Sequence, residues 1–181
     1  LFLAGLSQKY LGDRLEISEK EVVKGTVLEV KEEKGIGKTI DVILYEGKLS
    51  VSDEIVVGGK NGAIVTKVRA LLEPRIASEM KNQKDMYRNV KEVFAAAGVK
   101  ISAPNLDDVL AGSPLRAYSK EGQKEVSEEL NKVIVDSDAV GVIIKADALG
   151  SLEAFTKLLL DKGIKPKKAD VGLVSKRDVM E

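Results

Sequence analysis

The chain has 181 residues, of which 44% are hydrophobic and 32% charged, and its 29 basic and 29 acidic side chains give no net formal charge. It contains no cysteine and no histidine, which excludes disulfides, thiolate or imidazole catalysis and the usual zinc sites. Any contact with nucleic acid must therefore come from a local patch of cations. No apolar run approaches the ~20 residues of a membrane-spanning helix, so we expect no membrane partner.

The first stretch of the chain predicts a short amphipathic helix. Leu3, Leu6 and Tyr10 recur at helical spacing, and we expect the helix to end near Gly12. The opening LFLAGL is too short for the apolar core of a secretory signal. We expect this helix to be the last helix of a domain that precedes the chain.

Short runs of β-branched residues from Val22 to about Tyr118 are typical of a β-barrel or sandwich. The first four strands are VVKGTVLEVK, TIDVILYEG, EIVVGG and AIVTKVRALL, and the turns between them are rich in glycine. Further along, we expect a strand near residues 91–95, a strand in GVKISAP and a returning strand in SPLRAYS. Between the last two, NLDDVLAG predicts a single helical turn closed by Gly112.

The stretch KGIGKT, residues 34–39, ends in the Gly-Lys-Thr of a phosphate-binding loop. A P-loop needs glycine five positions before Gly37, where Glu32 stands, and it opens a helix. The residues that follow alternate instead as a half-buried strand. We interpret the stretch as a hairpin in which Gly35 and Gly37 supply positive φ angles. The alternative is a free-standing nucleotide-dependent enzyme that uses the KGIGKT loop.

The composition changes after Tyr118, where charged helical patterns alternate with apolar strands. EGQKEVSEELNKVIVDSD predicts a helix, AVGVIIKAD a strand, GSLEAFTKLLLDKG a second helix and ADVGLVSK a second strand. Strand, helix and strand at this spacing form a parallel βαβ unit. The fold class we predict is mixed, a β-barrel followed by a partial α/β domain. We expect three parts: residues 1–19 as a terminal helix and linker, 20–120 as the barrel, and 121–181 as an incomplete α/β domain.

Several motifs resemble one family of translation factors. VIIKADALGSLEA, residues 142–154, resembles the third domain of initiation factors of the bacterial factor-two and archaeal/eukaryotic factor-5B type. GTVLEVKEEKGIGKTIDVILYEG and the strands that follow are similar to the second domain. AAAGVKISAPNLDDVLAGSPL resembles the archaeal/eukaryotic branch, and LAGLSQKYL resembles the final helix of the GTPase domain. Two departures are Ser52-Asp53, where translational GTPases usually carry Gly-Asp, and Lys38, where a small polar residue is usual.

The resemblance implies a cytoplasmic, monomeric factor that promotes joining of the ribosomal subunits and placement of initiator tRNA. It implies a β-barrel of the translational-GTPase second-domain type that docks on ribosomal RNA and proteins and relays the GTPase state. GTP and Mg²⁺ are expected in a domain outside these residues, and initiator tRNA is expected to bind a C-terminal domain. Because neither a P-loop nor an Asn-Lys-x-Asp motif occurs here, we expect no catalysis, cofactor or metal in this chain.

The hairpin lysines Lys31, Lys34 and Lys38 are candidate contacts to ribosomal RNA, since each neutralised phosphate releases counterions. The alternative is an ordinary solvated hairpin in which Glu32 and Glu33 cancel much of the positive field. For any single lysine the sequence favours this second interpretation.

The connection between the two predicted domains, residues 119–123, is charged and has few apolar residues. We therefore expect a modest interface with rigid-body motion, and Gly122 as a candidate hinge. Further on, Asp147 and Ser151 flank a strand-to-helix turn, where they either cap the helix or leave its amides for an anion; we favour the caps. Other charged residues are interpreted as ordinary surface charge: Lys67, Arg69, Asp107, Asp108, Glu128 and Glu129.

Overall fold

The computed structural model describes residues 2–15, 22–33, 35–75, 86–136 and 140–180. Its first element is α1 (Phe2–Leu15), one turn longer than the predicted helix that ended near Gly12. The side chains of Phe2, Leu3 and Tyr10 on this helix are exposed. None of the helices in the described residues is both long and apolar enough to cross a membrane.

Within the described residues, ten strands follow α1 and form the β-rich part of the chain. They are β1 (Lys24–Glu33), β2 (Gly37–Glu46), β3 (Lys48–Ser50), β4 (Glu54–Gly59), β5 (Gly62–Lys67), β6 (Ala70–Pro74), β7 (Tyr87–Val90), β8 (Glu92–Phe94), β9 (Ala97–Ser102) and β10 (Pro114–Ala117). Eight of them form one antiparallel sheet in the order β5-β4-β10-β1-β2-β9-β6-β7, and β3 pairs with β8. These strands confirm the predicted β-rich fold class, and we call this part of the chain the barrel.

Alternation of apolar and polar residues places one face of each long strand in a common core. In β2, Ile40, Val42 and Leu44 are buried, whereas Ile43 and Tyr45 between and after them are exposed. The same core takes side chains from β1, β4, β6, β9 and β10 and also from the small β3–β8 sheet. Burying each such side chain contributes about 1.5–3 kcal/mol relative to leaving it in water.

Two segments differ from the predicted strands and turns. AIVTKVRALL is not one strand, because the chain bends at Val68 and Arg69, whose amides donate to Asp53 and Ser102 carbonyls at 2.9 and 2.8 Å. The predicted strand near residues 91–95 is shorter: β8 spans three residues, directly after β7.

The predicted helical turn in NLDDVLAG is also absent from the structure. Residues 104–112 form turns and one isolated bridge between Val109 and Gly59. The amide of Leu110 donates to the Gly58 carbonyl at 3.0 Å, and that of Gly112 to the Val27 carbonyl at 2.7 Å. These amides bond to the barrel strands and are therefore not available for a helix. We call residues 104–112 the crossing loop.

The second part of the chain contains the predicted βαβ unit. Its elements are α2 (Lys120–Val133), β11 (Val135–Asp136), β12 (Val142–Ala146), α3 (Leu149–Asp161), β13 (Pro166–Val171) and α4 (Lys176–Met180). β12 and β13 are parallel, and β11 joins the other edge of β13 antiparallel. Helix α2 buries Val126 and Leu130, two of the residues that predicted it.

An apolar cluster lies at the junction between the barrel and the βαβ unit. Its buried members are Val56, Leu110, Val126, Leu130, Ile144, Leu149, Leu152, Ala169 and Val171, from β4, the crossing loop, α2, α3, β12 and β13. Gly58 of β4 makes room for α2, because a Cβ there would lie 2.9 Å from Leu130 Cδ2. The barrel supplies only Val56 and Leu110 to these buried members, and the other seven belong to the second part of the chain, so the expected modest interface stays a prediction.

Candidate functional site

Residues 35–39 of the KGIGKT stretch form the turn and the start of β2 in the predicted β1–β2 hairpin. Gly35 and Gly37 have φ angles of 88° and 85°, and the Ile36 amide donates to the Glu33 carbonyl at 3.1 Å. Thr39 lies in β2, opposite Lys31 of β1. A strand therefore stands where a P-loop would start its helix, and the local geometry is that of a tight hairpin.

The described hairpin lysines face carboxylates. Lys38 Nζ lies 2.7 Å from Asp107 Oδ1, and Lys31 Nζ lies 2.7 Å from Glu29 Oε2. These hydrogen bonds raise the pKa of both lysines, and the bond to Lys38 lowers the pKa of Asp107. Lys34 lies outside the described residues. The ion pairs weaken the positive field at the hairpin, and the nucleic-acid role of these lysines stays a prediction.

A buried lysine that sequence reasoning missed lies beside this hairpin. The Lys100 side chain is 3% exposed, and its Nζ lies 2.8 Å from Glu33 Oε1 and 3.1 Å from Asp41 Oδ1. Burial lowers the pKa of Lys100, but the hydrogen bonds to the two carboxylates outweigh it and raise the pKa. Tyr87 of β7 covers the ammonium group, at 5.1 Å from the ring centre. The cluster ties β1, β2, β9 and β7 together.

Arg116 of β10 is the main charged contact between the barrel and α2. Its Nε lies 3.2 Å from Glu125 Oε2 and its Nη2 lies 2.8 Å from Glu129 Oε1, one turn further along α2. Its Nη1 donates to the Tyr45 hydroxyl at 3.2 Å. The sequence predicted that Glu129 is ordinary surface charge, but in the structure it pairs with Arg116. We call this group the Arg116 clamp.

The candidate hinge Gly122 lies inside the first turn of α2. Ser119 caps this helix, since its Oγ accepts a hydrogen bond from the Gly122 amide at 2.8 Å. Gly122 is buried, and a Cβ there would lie 2.7 Å from the Ala117 carbonyl oxygen. The absence of a side chain lets α2 start directly against β10. The hinge role itself stays a prediction.

The amino end of α3 is held by the barrel and not by the predicted caps. Its N-cap residue is Ala148, with no side-chain cap, so the favoured interpretation of Asp147 and Ser151 as caps was wrong. Instead, the Leu149 amide donates to the Ala111 carbonyl of the crossing loop at 3.0 Å. A carbonyl from the neighbouring part of the chain thus meets one of the helix's free amides, a partner that local sequence could not indicate.

Comparison with known proteins gives consistent results over the whole chain. Residues 116–181 match the family model described as translation-initiation factor 2. The chain is 53% identical over 186 residues to the probable translation initiation factor IF-2 of Pyrococcus furiosus, and 49% over 185 residues to that of Methanocaldococcus jannaschii. Each match covers all of this chain but only 19% and 16% of the relative's length.

A solved structure has the same fold. The crystal structure of GDP-bound aIF5B from Aeropyrum pernix matches with a TM-score of 0.84 and 44% identity, over 99% of this chain and 31% of that one. A barrel joined to a βαβ unit in this way, with these relatives, defines part of a translation initiation factor. Together these matches support a fragment of the factor-two/5B type, with the barrel and the start of the next α/β domain.

Proposed function

We propose that this chain is the central part of an initiation factor that promotes joining of the ribosomal subunits with initiator tRNA in place. In this proposal the chain docks on the ribosome and relays the nucleotide state of a GTPase domain, and it has no catalysis of its own. The observation that carries it is the match over the whole chain to factors of the factor-two/5B type. The factor would act as a monomer in the cytoplasm.

The rest of the parent protein would supply the chemistry and the remaining partners. The solved relative is bound to GDP, which supports placing GTP and Mg²⁺ in the GTPase domain outside this chain. We place the initiator tRNA contact in a C-terminal domain, also outside it. The hairpin geometry of KGIGKT supports the absence of a nucleotide site in these residues.

The contacts at the junction support the relay. The Arg116 clamp, the shared apolar cluster and the Leu149–Ala111 hydrogen bond connect the barrel to the βαβ unit at three separate points. A displacement of the barrel would therefore move α2 and α3 with it. Gly122 remains our candidate pivot for a motion that separates these contacts, because the covalent connection between the two parts passes through the first turn of α2.

The proposal predicts salt-dependent binding to small ribosomal subunits. In this test the chain and a variant with Lys31, Lys34 and Lys38 all replaced by glutamine are titrated with purified subunits at several salt concentrations. If the hairpin contacts RNA, the variant has a flatter salt dependence, by about 0.7–0.9 in log–log slope for each lost phosphate contact. An unchanged slope removes the hairpin from the contact surface, and no subunit binding by the unmodified chain contradicts ribosome docking.

A further inference from the structure

Positive charge is concentrated at the corner where α3 ends and β13 begins. Between residues 157 and 168 the sequence has five lysines and one aspartate, although the whole chain has no net charge. Lys157, Lys162 and Lys165 are exposed, and we call these three residues the lysine edge. This corner differs from the β1–β2 hairpin, where Lys31 and Lys38 face carboxylates at 2.7 Å.

The backbone under the lysine edge is held by hydrogen bonds and close packing. Gly163 ends α3 with a φ of 74°, and the amides of Gly163 and Ile164 donate to the last helical carbonyls at 2.9 Å. The Val142 amide donates to the Lys165 carbonyl at 3.2 Å, and a Cβ on Gly141 would lie 2.3 Å from that same oxygen. The lysines therefore extend from a fixed frame, which reduces the entropy lost on binding.

A purely local role explains only part of this charge. A cation near the end of a helix offsets the helix dipole, by about 0.3–1 kcal/mol. Lys162, the C-cap residue directly after α3, has this position. Lys157 lies about one turn before the end of α3 and Lys165 lies beyond it in the loop, so neither is needed for the dipole.

We propose that the lysine edge is a contact surface for the phosphate backbone of structured RNA. Ammonium groups on a rigid frame neutralise phosphates and release their counterions, and they need no base edge for this. The contact is therefore insensitive to base sequence. That the RNA is ribosomal rests on the proposed function, whereas the chemistry of the surface does not.

The test replaces Lys157, Lys162 and Lys165 by glutamine in the 181-residue chain. A control variant with the same change in charge replaces three lysines that are exposed elsewhere, namely Lys60, Lys91 and Lys120. The two probes are purified small ribosomal subunits and a fluorescent RNA duplex of about 16 base pairs. Thermal unfolding of each variant confirms that it is folded.

We expect the lysine-edge variant to lose both affinity and salt sensitivity for both probes. With three phosphate contacts, raising the salt concentration from about 50 to 200 mM lowers the affinity approximately 40-fold. The lysine-edge variant should lack this part of the salt dependence. The control variant should keep it. Equal losses of affinity in the two variants, or unchanged binding by the lysine-edge variant, would overturn the proposal that the lysine edge contacts RNA.

The two probes separate this inference from the proposed function. If the duplex binds through the lysine edge but subunits do not bind, the surface stands and docking of this chain on the ribosome is contradicted. If subunits bind equally well to the lysine-edge variant, docking stands and the surface is overturned. If neither probe binds the unmodified chain, both proposals fail. Equally strong binding to vesicles of an anionic phospholipid would overturn the assignment to RNA.

Discussion

Replacing Arg116 by methionine tests whether the clamp holds α2 on the barrel. Methionine keeps much of the buried stem but removes the bonds to Glu125, Glu129 and the Tyr45 hydroxyl. Breaking a buried ion pair costs about 3–5 kcal/mol. The two glutamates are 55% and 45% exposed, so water solvates them again after the change. We therefore expect a smaller loss, about 2 kcal/mol, and a fall of roughly 4–8 °C in the unfolding midpoint.

The assay is denaturant and thermal unfolding followed by circular dichroism. The matched control is Arg88→Met, which removes a pair with Glu73 at a surface where the arginine side chain is 56% exposed; it should cost less than about 1 kcal/mol. A double-mutant cycle of Arg116→Met with Glu129→Gln should give a coupling energy of about 1 kcal/mol. A coupling near zero, or equal losses for Arg116 and Arg88, would refute the clamp.

Four further predictions test individual features. Ser52 has a φ of 79°, so Ser52→Gly should stabilise the chain by about 0.5 kcal/mol in denaturant unfolding; a loss would contradict the strain. Gly37→Val should destabilise by about 1 kcal/mol or more, whereas Lys38→Ala should change stability little; the reverse order would count against the hairpin account. Hydrogen bonds from the Ser175 hydroxyl and amide, aided by nearby lysines, lower the pKa of Asp178 to about 2. The charged Asp178 carboxylate therefore stabilises the folded chain fully above the usual Asp pKa, and this stabilisation disappears as the pH falls through about 2. Asp178→Asn should therefore lower the unfolding midpoint near pH 5 and have little effect near pH 2, and a loss independent of pH would contradict this. A Gly-Ser insertion after Gly122 in the parent protein should leave GTP binding intact and weaken the nucleotide dependence of subunit joining; unchanged dependence would remove the hinge.

Features that depend on neighbouring residues could be predicted from the sequence. The hairpin followed from Gly35 and Gly37, since only a tight turn between two alternating strands needs positive φ at both positions. The βαβ unit followed from its periodicity and from Gly163 at the end of α3. In each case the deciding interactions lie within a few residues along the chain.

Features that depend on distant residues were missed. Glu33 and its partner Lys100 are separated by 67 positions, and nothing in an alternating strand shows that one outward lysine will be buried. The sequence favoured Asp147 and Ser151 as caps at the amino end of α3, but the Leu149 amide there bonds to the Ala111 carbonyl. The packing of Val56 and Leu110 against the second part of the chain could not be predicted either, because the polar residues 119–123 of the connection indicate nothing about residues far away in sequence.

The most direct test of the central proposal is the binding of this chain to small ribosomal subunits, measured with GTP, with GDP and without nucleotide. We expect the chain to bind subunits with an affinity that does not depend on nucleotide, whereas the affinity of the longer parent protein should change with it. Thermal unfolding of the chain should also be unaffected by GTP, since a bound ligand at 100 times its Kd would add about 2.7 kcal/mol. Saturable GTP binding that is lost on Lys38→Ala, or no subunit binding by the chain, would contradict the account.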